Sequence, residues 1–289
     1  MIWSVIALAS ALSVSIADSL TKKYLSGFSV FVVFWVRIAY TLPVLLVCSI
    51  GMTIPKLPAE FWIPMVPLVF CEVLAGVFYA RALQVSPLSL TIPFMAFSPV
   101  FLIIVGYLIL GEKVSPTGML GIVLVTIGAY LLNIHHNKYG ILGPIRAVFH
   151  ERGSWMMLLV AVLYSFSASF GKKALLYAGD PYFFSWFYML VVSIVSFPVM
   201  YVLSGRRGRM FVSHPKIFML VGTAMGLMVI THFVAVQQMN VAYMISLKRM
   251  NLVFSVIIGY FLFREERLIQ NSIACIMMIC GAFLVSIAR

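Results

Sequence analysis

Ten apolar runs, most of them close to twenty residues long and divided by short polar breaks, leave this chain few ways to fold. They cover 2–21, 28–51, 61–82, 88–110, 116–134, 154–171, 181–204, 216–237, 241–263 and 268–287. About 20 apolar residues rising 1.5 Å each match the ~30 Å hydrocarbon core of a bilayer. Barrel strands need only about 9–11 residues and a period-two alternation that these runs lack. The expectation is an all-α membrane protein of about ten transmembrane helices. Charge agrees: 10% of the residues are charged, against roughly 25% in a soluble domain.

The connections are short, the longest being 135–154, and no soluble domain or tail is expected. The net charge of +12 does not point to nucleic acid, because the cations are scattered over short loops. Beside a membrane they set orientation instead. Of the loop and helix-end cations, twelve fall on one side and five (Lys56, Lys113, Lys172, Lys173 and Arg289) on the other. The richer side is expected to be cytoplasmic, with both termini opposite. A reporter joined after Arg289 should then lie outside the cytoplasm, and cytoplasmic labelling would overturn that orientation. The first run lacks the positive n-region of a signal peptide and has a counterpart later in the chain, so it reads as structure. Cys48, Cys71, Cys275 and Cys280 all fall inside runs, as packing residues rather than a disulfide or zinc framework. His135, His136 and His150 lack ligand spacing and read as loop residues. No GxSxG, HExxH, P-loop or GxGxxG occurs, so neither an enzyme nor a cofactor or metal site is expected.

The chain is written twice. Residues 82–131 lie on 235–284 without a gap, at an offset of 153, and about a quarter of the pairs are identical. "VFLIIVGYLILGEK" (100–113) meets "VFSVIIGYFLFREE" (253–266), and "GAYL" (128–131) meets "GAFL" (281–284). Nearer the start of each half, "SLTKKYL" (19–25) meets "SFGKKAL" (169–175). The halves are read as 1–134 and 154–289, joined by 135–153, each with five runs. An odd number makes the second half enter the membrane from the opposite side, the inverted repeat of many secondary transporters, whose site lies near the midplane where the repeats meet. A duplicated membrane scaffold is the bland alternative.

Ten runs, the five-plus-five repeat, "GEK" after the fourth run and "REER" after the ninth resemble the drug/metabolite transporter superfamily, EamA branch. The resemblance covers essentially the whole chain. It implies alternating access and a small-molecule substrate.

Two adjacent cations, Lys248 and Arg249, stand in the otherwise apolar "SLKRMNLVFSV" (246–256). Lys248 lies about seven residues into its run, roughly 10 Å deep. A charge at a helix centre costs about 2.5–3.5 kcal/mol on insertion scales. The pair therefore needs a wet cavity or a partner, or snorkels to the surface. Asp18 and Glu72 are candidate partners. The alternative is a receptor for an anion, with a planar Arg fork and a compact Lys charge. Here the run resembles its counterpart in the triose-phosphate/phosphate translocators, where a Lys-Arg pair holds the substrate phosphate. "SASFGKKAL" (167–175) resembles those carriers' sixth span, which implies a phosphate-binding role for Lys172 or Lys173. "THFVAVQQ" (231–238) resembles their eighth, with His232 as a lining residue. The ligand is read as anionic or zwitterionic, without extending to triose phosphate.

Asp18 and Lys22, four apart, form a favourable helix pair; Asp18 is alternatively a proton carrier. Glu72 is central in its run and a functional candidate by default, for coupling, for substrate, or for an ion pair with Arg37, Lys248 or Arg249. Arg37, mid-span, is equally a structural partner. Glu112 and Glu265 occupy equivalent repeat positions, as solvated helix ends or as halves of gate salt bridges. Pro87, Pro93 and Pro99 punctuate the fourth run, where proline frees carbonyls and allows bending.

The reading is a secondary active transporter, an exchanger or proton-coupled, for a small anionic or zwitterionic organic metabolite. The alternatives are a flippase for a phosphorylated lipid carrier and an exporter of amino acids or drugs. The expected setting is the lipid bilayer of a prokaryotic plasma (inner) membrane, as a monomer and without nucleic acid.

Overall fold

A computed structural model describes residues 2–51, 54–86, 88–134, 142–147, 149–263 and 272–288. Every regular element among them is helical. Pro87, His135, His136, Lys138, Arg264, Glu265, Arg267 and Arg289 lie outside the described residues.

The apolar runs become helices. These are α1 (Ile2–Tyr24), α2 (Val30–Cys48), α3 (Ala59–Val85), α5 (Pro116–Ile134), α6 (Arg152–Ala178), α7 (Pro181–Leu203), α8 (Pro215–Gln238) and α10 (Ser272–Ile287). α4 and α9 are broken. α4 is a turn at Leu88–Thr91, a 3₁₀ segment Ile92–Phe97 and an α-segment Ser98–Leu110; α9 is Val241–Lys248 followed by Asn251–Phe263. Nine of the described helices are long and apolar enough to cross a membrane, and α10 is a shorter apolar helix. The chain is an integral multi-pass membrane protein.

The breaks were only half expected. In α4, Pro93 and Pro99 each withhold a backbone N–H, and the chain tightens to 3₁₀ geometry with Ser98 N–H donating to Met95 O. α9 has no proline at its break. There Met250 N–H reaches Leu247 O at 3.0 Å and Leu252 N–H reaches Arg249 O at 3.1 Å, the i→i−3 bonds of a tightened turn. The two breaks are repeat-related: Ser98 and Asn251 stand 153 apart, and both segments that follow run for 13 residues.

α6 is longer than the 154–171 read from hydropathy. Lys172 and Lys173 therefore sit inside a helix of 27 residues rather than beyond its end. It closes at Gly179, with φ 77°. The Asp180 carboxylate then accepts from Tyr182 N and Phe183 N, capping α7 with Pro181 at its first position. The cysteines are corrected too: Cys71 is buried and Cys275 partly so, but Cys48 and Cys280 are exposed on the outer surface.

Packing follows the repeat. α3 lies along α6 as α8 lies along α1, and α4 on α6 as α9 on α1. α2 meets α7, α5 meets α10, and exchanging the halves leaves this pattern unchanged. α5 and α10 touch backbone to backbone. A Cβ on Gly121 would lie 2.7 Å from Gly281 O, and one on Gly281 would lie 2.7 Å from Gly121 O. Small residues permit such approach in membranes, where dispersion rather than hydrophobic burial holds helices together. Gly281→Val should therefore destabilise by about 1–3 kcal/mol through overpacking. Gly27→Ala, where nothing lies within 4 Å of the new carbon, should melt like the parent. Equal melting temperatures for all three proteins would contradict this packing.

Candidate functional site

The helices enclose a cavity of about 710 Å³ lined from both halves. At its polar centre meet Glu72 of α3, Ser98 of α4, Ser167 and Tyr164 of α6, Tyr188 of α7, His232 of α8, and Lys248, Arg249 and Asn251 of α9. The two helix breaks place three of these. Arg249 closes the first segment of α9, and Ser98 and Asn251 open the second segments of α4 and α9.

Each polar group there has a definable state. Arg249 Nη2 donates to Ser98 Oγ at 2.5 Å. The Ser98 hydroxyl in turn donates to Met95 O at 3.1 Å, so one serine ties the break of α9 to the break of α4. Arg249 Nε is buried and has no partner among the described residues. Lys248 Nζ likewise has no hydrogen-bond or ion-pair partner among them. Glu72 Oε2 accepts from Ser167 Oγ at 2.6 Å, with the Tyr188 hydroxyl as a second partner. His232 Nδ1 lies 3.1 Å from Met244 Sδ.

The expected ion pairs resolve differently from the sequence reading. Glu72 forms none with Arg37, Lys248 or Arg249; its direct partners are hydroxyls. Arg37 instead donates to Asp18 Oδ1 at 2.6 Å, on the cavity wall, and contacts Met225 Sδ at 3.3 Å. Asp18 therefore has a partner on the neighbouring helix.

Lys172 and Lys173, of which a phosphate-binding role was expected, do not line the cavity. Lys172 is buried and forms an ion pair with Glu112 at the end of α4. Its ammonium also donates to Met239 O at 2.8 Å, and Lys173 Nζ donates to Ile109 O at 3.3 Å. Glu112 is no solvated helix end: its other carboxylate oxygen accepts Val241 N–H at 2.8 Å, where a carboxylate suits the positive end of α9. The Tyr243 hydroxyl accepts Ser115 N–H at 2.9 Å beside it. This junction fastens α4, α6 and α9 together. The cavity lining extends instead to Lys22, Ser26, Phe28 and Val30, around the α1–α2 connection.

Apolar side chains line the rest. They include Phe34, Leu68, Met189, Met225, Met228 and Phe233. Sequence reasoning missed this wall, the tyrosines and Ser98. The repeat offset held one usable signal, since Ser98 and Asn251 are equivalent positions; the tyrosines carried none.

No curated protein sequence matches this chain. Among solved structures, one titled only "Crystal structure of protein" superposes with a TM-score of 0.76 at 14% identity, over 99% of this chain and 95% of its own. At that identity it establishes the fold alone. The model of the EamA-like transporter family matches residues 1–134 and 151–287, nearly the whole length in two copies. The chain belongs to the EamA-like transporter family.

Proposed function

We propose that this membrane transporter is a secondary carrier of a small anionic or zwitterionic organic metabolite. It works by alternating access between two inverted five-helix repeats, 1–134 and 154–289, in the plasma membrane of a prokaryote. One observation carries the reading. Lys248 and Arg249 line the central cavity, and Lys248 has no hydrogen-bond or ion-pair partner among the described residues. Cations so placed are costly, and a ligand's acidic group is what they lack. The positive end of the Asn251–Phe263 segment reinforces them.

The substrate enters by the α1–α2 end and docks its acidic group on Lys248 and Arg249. Its carbon body rests against Phe34, Leu68, Met225 and Met228. The breaks in α4 and α9, joined through Ser98, are the flexing points. Rocking closes the α1–α2 end and opens the Glu112–Lys172 junction. His232 and Asn251 complete the polar centre.

The test is thermal shift on purified protein with a panel of carboxylates and phosphomonoesters, and with their amides and alcohols as neutral controls. A ligand at 100 times its Kd stabilises by about 2.7 kcal/mol. Acids should raise the melting temperature while their neutral counterparts do not. A response confined to neutral or cationic compounds would overturn the proposal. A response confined to lipid-linked phosphates would favour a flippase.

Coupling is assigned to Glu72, a carboxylate in the same cavity held by Ser167 and Tyr188. If its proton travels with the substrate, uptake into proteoliposomes should rise as external pH falls. Glu72→Gln should flatten that dependence and leave substrate exchange intact. A variant with the parent's pH profile would remove Glu72 from the coupling step.

A further inference from the structure

We infer a second binding site, for an anionic phospholipid, on the outer surface where α2 meets α7. It is independent of the central cavity and of the transport proposal. An apolar groove of about 390 Å³ lies there, lined by Trp35, Ser193, Ile194, Phe197, Phe211 and Val212, with Gly208 at one end. Its floor is already satisfied: the Trp35 indole donates to Ser193 O at 2.9 Å. What remains open is hydrocarbon, with Ile194 64% and Val212 63% exposed.

The end at Gly208 is strongly cationic. Arg206, Arg207 and Arg209 flank that glycine and are all exposed. Among the described residues, none of the three guanidinium groups has a hydrogen-bond or ion-pair partner. The loop that presents them is firmly held. Phe211 is buried against Trp35 and Phe197, and the Tyr40 hydroxyl donates to Phe211 O at 3.1 Å. α7 ends with Arg206 N–H on Tyr201 O and Gly205 N–H on Val202 O, the paired bonds of a Schellman cap. Arg206 itself has φ 59°, a left-handed conformation that strains a non-glycine residue. An arginine stands where glycine or asparagine would fit better, two residues before the groove-lining Gly208.

An apolar groove ending in three unpaired arginines matches one chemistry, an acyl chain attached to a negatively charged phosphate headgroup. Arginine forks are suited to phosphate. The loop also lies beside the α1–α2 connection, through Phe28 against His214. That is the face the charge count assigns to the cytoplasm, where anionic lipids attract basic segments.

The experiment compares phosphatidylglycerol with phosphatidylcholine, titrated into detergent-solubilised protein and read as melting temperature and as bound lipid by native mass spectrometry. Phosphatidylglycerol should bind and stabilise, and phosphatidylcholine should not. Each arginine near a membrane surface is worth roughly fivefold in affinity, so Arg207→Gln/Arg209→Gln should weaken phosphatidylglycerol binding by about thirtyfold. Ile194→Trp, which fills the groove, should weaken it with all three arginines present. Glycerol phosphate, the headgroup without its chains, should fail to stabilise. Equal binding of both lipids would overturn the site, as would an undiminished preference in the double variant or a full effect from glycerol phosphate. Should the double variant fail to fold, lipid preference in the parent and the response of Ile194→Trp still decide.

Discussion

Lys172→Met should lower stability by about 3–5 kcal/mol, the usual result of stranding one half of a buried ion pair. The partner left behind is Glu112, whose side chain is 17% exposed, while that of Lys172 is 8% exposed. Removing the lysine leaves a carboxylate that, among the described residues, has only Val241 N–H to hold it, and removes the donor to Met239 O. Glu112→Gln should cost a comparable amount, because it strands the cation instead. The double variant Lys172→Met/Glu112→Gln should recover much of the loss. That non-additivity distinguishes a pair from two independent contacts. The Arg37–Asp18 pair is the contrast. Its side chains are 23% and 40% exposed, so solvent screening holds its worth to about 0–1 kcal/mol. Melting of the single and double variants in one detergent checks both statements. An additive double variant would contradict the junction.

Arg249→Gln and Lys248→Gln should behave in the opposite way, leaving stability unchanged or slightly raised while binding collapses. Among the described residues neither cation forms an ion pair, so neutralising one strands no carboxylate there. Glu72 keeps Ser167 and Tyr188. Arg249→Gln removes the bond to Ser98, whose hydroxyl keeps Met95 O. Hydrogen bonds to charged groups are worth about 1.5–3 kcal/mol each, so each loss should weaken an anionic ligand by roughly 10- to 150-fold. Arg249→Lys should restore the charge without the fork, and so recover only part of the affinity.

Much of the fold was legible because hydropathy writes membrane helices directly. Its one failure of length is instructive. Lys172 and Lys173 looked like a polar break, but Glu112, 60 residues away, draws Lys172 into the bundle and lets α6 continue past it. The break in α4 was legible through Pro93 and Pro99. The break in α9 was not, because it is made by backbone bonds around Arg249 and needs no proline. The site divided the same way. Lys248, Arg249 and Glu72 stood out as charges in apolar runs, and all three line the cavity. Their partners did not stand out. Which acid meets which base depends on helix contacts across the bundle, and a serine or a tyrosine in such a run carries no distinguishing signal.

In the proposed transport cycle Lys248 and Arg249 meet the acidic group of a substrate. The most direct test is the affinity of the best-stabilising carboxylate or phosphomonoester for the parent, Lys248→Gln and Arg249→Gln, with melting recorded on the same samples. Affinity lost at least tenfold in both variants, at parental or higher melting temperature, is the predicted result. A large fall in melting temperature with affinity retained would contradict it, because the two cations would then be structural.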